Sequence, residues 1–284
     1  MVKLIPLGGI GTVTKNMYVY EQDQDILVVD CGIGFPDSTM LGVDILIPDT
    51  SYLEARKDRI VGMLLTHAHD DHIAGLPYIL PKLGNIPIYA SKLTKGFAQD
   101  RLKEWGIVSN ITQIDREIFN VGPFTIQPIP VTHSVPDDRH FAISTSAGII
   151  YHGADFKFDD HPIDGITSDK ALMAKLGQQG ILCLLCDSLR SEKLGHSRSE
   201  SLLSATFEQE LRTTKGKFII TIMSSNVHRI QQAVDVAARF NRRIAFIGRS
   251  VESNVKTAVR LGFLHLPKAP SSTKDRLIIY QPVR

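Results

Sequence analysis

Between Thr66 and His72 the chain reads T-H-A-H-D-D-H, so His67, His69, Asp70, Asp71 and His72 crowd into six consecutive positions. Imidazole and carboxylate are common ligands of zinc and manganese. Buried groups of this kind need a compensating partner, which a cation supplies. The density is hard to explain by packing, whereas metal binding accounts for it directly. The chemistry this segment offers is therefore that of a bound metal ion, with the reaction left open.

The elements that must position these residues follow from the pattern around them. Ile60 to Leu65 is an apolar run that reads as a strand, followed by the ligand cluster and a helix. Up to Asp187 the chain reads as many short strands, at 25–30, 60–65, 124–130, 141–145 and 148–152, with a helix at 92–105. That pattern suggests stacked antiparallel sheets with helices packed outside. Beyond Asp187, Ser197-x-x-Glu200 is a capping box for a helix over 200–212. Strands are then expected at 217–222, 243–247 and 276–280, with helices at 227–240 and 250–261. This alternation is α/β architecture with parallel strands. The boundary is placed at 188–196, which has polar linker character, and 267–272 reads as a loop.

Charge changes at the same point. Residues 1–187 hold 15 Lys and Arg against 23 Asp and Glu, a balance of −8, whereas residues 188–284 hold 17 against 7, a balance of +10. A cationic surface or a footprint for a polyanion such as nucleic acid would both produce this. Cys183 and Cys186 lie in an apolar run read as a buried strand. Residues three apart on a strand point to opposite faces, which favours packing over metal or redox chemistry. The hydrophobic share of 43% and charged share of 22% exclude a disordered or fibrous chain. No apolar run approaches the roughly 20 residues of a membrane helix. The short apolar start, Met1 to Leu7, lacks the longer core of a secretory signal, so the expected location is the cytoplasm.

The spacing H-x-H-x-D-H resembles the signature of the metallo-β-lactamase superfamily. On that resemblance the remaining ligands are His133, after the strand ending at Val131-Thr132, and Asp155 in Gly153-Ala154-Asp155-Phe156-Lys157. His67, His69 and His133 would serve one metal, Asp71 and His72 the other, and Asp155 would bridge. Asp30, ending Ile26-Leu27-Val28-Val29, matches the superfamily's early aspartate and would hold the ligand loop by hydrogen bonds.

Longer stretches narrow the resemblance. Pro6 to Gly11, Lys15 to Tyr18, Phe35-Pro36, Leu41 to Asp44, Ile47 to Asp49, Gly153 to Asp159 and Ser225 to Gln232 resemble ribonuclease J over essentially the whole chain. That family couples a metallo-β-lactamase αββα sandwich to an α/β β-CASP domain and processes or degrades RNA. The resemblance implies a metallo-β-lactamase domain at 1–190 and a β-CASP domain at 191–284, which would clamp single-stranded RNA over the metals. It implies two divalent ions, zinc or manganese, and a catalytic set of Asp71, Asp187 and Asp30, with Asp187 orienting a ligand or assisting proton transfer. Ser224, Ser225, Asn226, His228 and Arg229, where a strand is expected to pass into a helix, are candidate phosphate contacts, as is Arg249. Ser and Asn there are also ordinary helix caps. Candidate protein partners are a second copy of the chain or a related ribonuclease subunit.

Thr12 and Thr14 depart from the family's Glu and Gly. Family chains also continue past the β-CASP insert and supply further histidines, one of them to the second metal. On this basis the 284-residue chain is expected to be truncated, with a weak second metal site. The competing expectations are a non-catalytic RNA-binding or partner subunit and a small-molecule metallohydrolase.

Overall fold

A computed structural model describes residues 1–267. The expected strand at 276–280 and most of the 267–272 loop lie outside the described residues. By their internal contacts the residues form two compact units. One takes in Met1–Val131, Asp137–Phe156 and Ser168–Leu194. The other takes in Thr132–Pro136, Lys157–Thr167 and the described residues from Gly195 onward.

The first unit contains two sheets. One runs in the order β1 (Val2–Gly8), β2 (Met17–Gln22), β3 (Asp25–Val29), β4 (Ile60–Leu65), β5 (Ile88–Ala90), β6 (Ile111–Gln113). Its first three strands are antiparallel, but β3 through β6 are parallel, where antiparallel pairing was expected throughout. The physical reason is helical crossovers: α1 (Ser51–Glu54) precedes β4, α2 (Asp70–Ile73) and α3 (Leu76–Leu83) lie between β4 and β5, and α4 (Lys92–Glu104) lies between β5 and β6. Parallel strands covered on both faces are apolar throughout, and the sequences ILVV of β3 and IVGMLL of β4 have this character.

The second sheet has the order β11 (Ile181–Leu185), β10 (Gly148–His152), β9 (Asp138–Thr145), β8 (Phe124–Val131), β7 (Phe119–Val121). Tyr20, Leu27, Val29 and Leu64 from the first sheet share one core with Phe124, Ile126, Phe141, Ile143 and Ile150 from the second. On the far side of the second sheet, α5 (Lys170–Gln179) packs Leu176, Leu172 and Met173 against Ile129, Ala142 and Tyr151. The αββα sandwich thus follows from where the apolar faces must go. The run at 181–186 is not a buried strand: Leu182 and Leu184 are 58% and 62% exposed, because β11 is an edge strand with one covered face. Cys183 packs against the core, while Cys186 is exposed.

In the second unit α6 (Leu203–Thr213), α7 (Val227–Arg239) and α8 (Arg249–Leu261) form, the first after a short 3-10 turn at Glu200–Leu202. Ser199, not Ser197, caps that turn by accepting from the Ser201 amide. The expected strands at 217–222 and 243–247 are not strands here. A strand exists only with a ladder partner, and neither segment is paired among the described residues. Both instead line an apolar cavity of about 700 Å³ with Phe207, Leu211 and Val236.

His152 at the end of β10 is buried, and its Nδ1 lies 2.6 Å from the Tyr20 hydroxyl. Burial pulls its pKa from 6.5 down to about 4, although the charge of Asp30 opposes the shift. The folded state therefore favours the neutral ring. Its contribution to stability is complete above pH 6.5 and is lost as pH falls toward about 4. Without added metal, the denaturation midpoint of His152→Gln should fall less steeply than the parent's over that interval. Parallel pH profiles would contradict this.

Candidate metal centre

The site is assembled from the loops beyond the C-terminal ends of strands. His67 and His69 follow β4, with His69 at the N-cap of α2, and Asp71 and His72 lie within α2. His133 lies two residues past β8, and Asp155 three past β10. In the group His67, His69, His133 and Asp155, one donor atom from each lies within 4.8 Å of all the others. Asp71, His72 and Asp155 form a second such group, so Asp155 is common to both. His67 Nε2 and His69 Nδ1 face one another at 3.1 Å. Nitrogens bound to one tetrahedral zinc at 2.0–2.1 Å would stand about 3.3 Å apart. The donor set is thus suited to divalent metal.

Asp30 organises the loop. It adopts a positive φ of 63° just after β3, and its side chain is fully buried. Its carboxylate accepts from the Thr66 amide at 2.8 Å and from Thr66 Oγ1 at 2.8 Å, and it lies 2.7 Å from His72 Nδ1. That contact places the ring proton on Nδ1 and leaves Nε2 facing Asp71 at 3.5 Å and Asp155 at 3.6 Å. Burial disfavours charge on His72, but the surrounding carboxylates, Asp30 foremost, drive its pKa well above 6.5. Burial raises the pKa of Asp71, and the charge of Asp155 adds to the rise. A dication among these groups would reverse both tendencies by favouring carboxylate and neutral imidazole. Asp70 pairs with Arg101 of α4 and is outside both groups.

Sequence reasoning did not single out several supporting residues. Asn16 donates through Nδ2 to the Asp71 carbonyl at 3.2 Å and lies 3.1 Å from His72 Nε2. Gly32 passes so close to α2 that an added Cβ would lie 1.6 Å from the Asp71 carbonyl oxygen. Asp138, fully buried, has its Oδ2 4.0 Å from His67 Nδ1. The signal for Asn16 lay within the Lys15 to Tyr18 stretch, but nothing local marks Asp138.

Asp187 is part-buried, accepts from the Leu189 amide at 2.8 Å, and belongs to neither donor group. Burial raises its pKa. In the second unit, Asn226 caps α7 by accepting from the Arg229 amide at 3.0 Å. His228 Nε2 lies 3.2 Å from Asp164 Oδ2, and the Arg229 guanidinium pairs with Glu200 at 2.7 Å. Ser224 Oγ accepts from Asn254 at 3.3 Å, and Ser225 is buried. Arg249, at the start of α8, is exposed.

Residues 10–153 match the family model described as metallo-β-lactamase superfamily, which is half of the chain. The chain belongs to the metallo-β-lactamase superfamily. Residues 215–282 match the family model described as ribonuclease J, β-CASP domain. Ribonuclease J of Helicobacter pylori strain J99 is 41% identical over 270 residues, covering 94% of this chain and 39% of that protein. Ribonuclease J2 of Bacillus subtilis strain 168 is 40% identical, with 93% and 48% covered. Ribonuclease J of Thermus thermophilus is 36% identical, with 100% and 50% covered. The chain thus spans half or less of the length of these relatives. Among solved structures, a protein of unknown function from Enterococcus faecalis V583 shares the fold, with a TM-score of 0.67 at 14% identity over 93% of this chain and 68% of that one.

Gly32→Ala should destabilise the protein by about 1–3 kcal/mol, the usual cost of overpacking. It should also weaken metal retention, because the clash falls on the backbone carrying Asp71. Denaturant unfolding with metal analysis after dialysis would check both; a variant equal to the parent in stability and metal content would contradict the packing argument.

Proposed function

We propose that this chain carries the catalytic centre of a metal-dependent ribonuclease that hydrolyses phosphodiester bonds of single-stranded RNA. The observation that carries this reading is the pair of donor groups sharing Asp155, in a metallo-β-lactamase superfamily chain that also matches the ribonuclease J β-CASP model. On this reading residues 1–190 are the metallo-β-lactamase domain and residues 191–284 belong to the β-CASP domain.

Three nitrogens and one carboxylate in one group, and one nitrogen and two carboxylates in the other, suit zinc or manganese. Bound there, a metal pair supplies Lewis acidity toward a phosphoryl oxygen and lowers the pKa of a coordinated water. The chain's own residues do the positioning. Asp30 and Thr66 fix the His72 ring, and Asn16 fixes the carbonyl of Asp71. Asp71 offers its carboxylate to the second donor group, where the charge of a cation would keep it ionised. Asp187, outside both donor groups, would orient a metal ligand or assist proton transfer.

The +10 balance of residues 188–284 supports phosphate binding by the second domain. Arg249, exposed, is the better candidate for direct contact, since Arg229 is already paired with Glu200.

Asp71→Ala should lose RNA cleavage while keeping its circular dichroism spectrum, and chelation should abolish the parent's activity. Cleavage by Asp71→Ala at the parent's rate would remove the mechanism. Separately, Arg249→Ala should flatten the dependence of log binding constant on log salt by roughly one unit. Arg229→Ala should change that slope less. A slope unchanged by Arg249→Ala would take this residue out of the RNA site.

A further inference from the structure

Asp138 opens β9, paired across the sheet with Val131 of β8. Its side chain is fully buried, and neither carboxylate oxygen has a hydrogen-bond partner among the described residues. A carboxylate in that position is costly unless something compensates it. The adjacent Arg139 does not: its guanidinium donates to Asp115, to Asp137 and to the Asp138 carbonyl.

What does face Asp138 is His67, whose Nδ1 stands 4.0 Å from Oδ2, with both side chains fully buried. The opposite edge of that ring, Nε2, points toward His69 Nδ1 within the donor group. An imidazole that ligates through Nε2 carries its proton on Nδ1 and is oriented by the acceptor there. Thr66 Oγ1 is one acceptor, at 3.0 Å, but it is neutral, and its single hydrogen is directed to Asp30. A charged acceptor raises ligand basicity where a hydroxyl does so only weakly.

We propose that Asp138 is a positioning residue of the metal centre: its carboxylate faces the Nδ1 edge of His67, whose hydrogen-bond partner there is Thr66 Oγ1, and by its charge favours the ring with Nε2 directed into the group of His67, His69, His133 and Asp155 and helps retain the cation. The proposal rests on reading that group as a metal site. It explains why an uncompensated carboxylate is kept where an apolar residue would pack at lower cost.

The test is zinc affinity of the full chain, by competition with a chromophoric chelator, for the parent and Asp138→Asn, together with the thermal midpoint of each without metal. The variant should bind zinc about 10–100-fold more weakly. Its metal-free midpoint should be unchanged or higher, because the carboxyl group replaced has no hydrogen-bond partner among the described residues. Affinity within twofold of the parent's overturns the proposal. So does a loss of affinity accompanied by a fall in the metal-free midpoint, which would make Asp138 a packing residue. As a second readout, nitrogen-15 spectra of the zinc-loaded parent should show His67 protonated at Nδ1; coordination through Nδ1 overturns the proposal. A parent that binds no zinc overturns the metal reading and this proposal together, whereas zinc binding equal in parent and variant overturns only the role of Asp138.

Discussion

Negative charge buried in a hydrophobic sandwich is the constraint to which the rest of the first unit answers. Asp30 and Asp138 are fully buried, and Asp71 and Asp155 are largely so. The effective cost of removing such an ion from water is several kcal/mol. Hydrogen bonds from Thr66 and His72 compensate Asp30. No comparable donors among the described residues serve Asp138, and the carboxylates of Asp71 and Asp155 face each other's charge as well as their own desolvation. Protons on the carboxylates, charge on imidazole or a bound cation are the ways this cluster can be neutralised.

The fold makes that concentration of charge possible by delivering it at strand ends. The apolar strands β3 and β4 lie side by side in parallel, so the loops after them emerge at the same edge. There the backbones of Asn16, Cys31, Gly32, Asp71 and His72 bond directly to one another. Such close approach needs a residue without a side chain, which accounts for Gly32. Packing and chemistry are therefore coupled: a substitution that spreads these loops disturbs ligand geometry without touching a ligand.

How much of this was legible in the sequence depended on how local each signal was. The T-H-A-H-D-D-H segment declares itself because its residues are adjacent, and β4 because its apolar run is continuous. His133 and Asp155 are single residues, identifiable only through resemblance to a family. Asp138 depends on a ring more than seventy positions away, and no periodicity encodes that. The parallel pairing of β3 to β6 was missed because strand composition does not report direction. In the second unit, the segments at 217–222 and 243–247 have strand-like composition, but without a ladder partner they form no strand. The Arg229 side chain looked available for phosphate until Glu200, twenty-nine positions earlier, was seen to hold it.

X-ray absorption at the zinc edge of the zinc-loaded chain tests the central claim most directly. An imidazole- and carboxylate-held pair predicts a shell of nitrogen and oxygen only, imidazole multiple scattering, and a zinc–zinc vector of about 3.5–4 Å. Sulfur in the shell, or a shell without imidazole, would place the metal elsewhere and contradict the account.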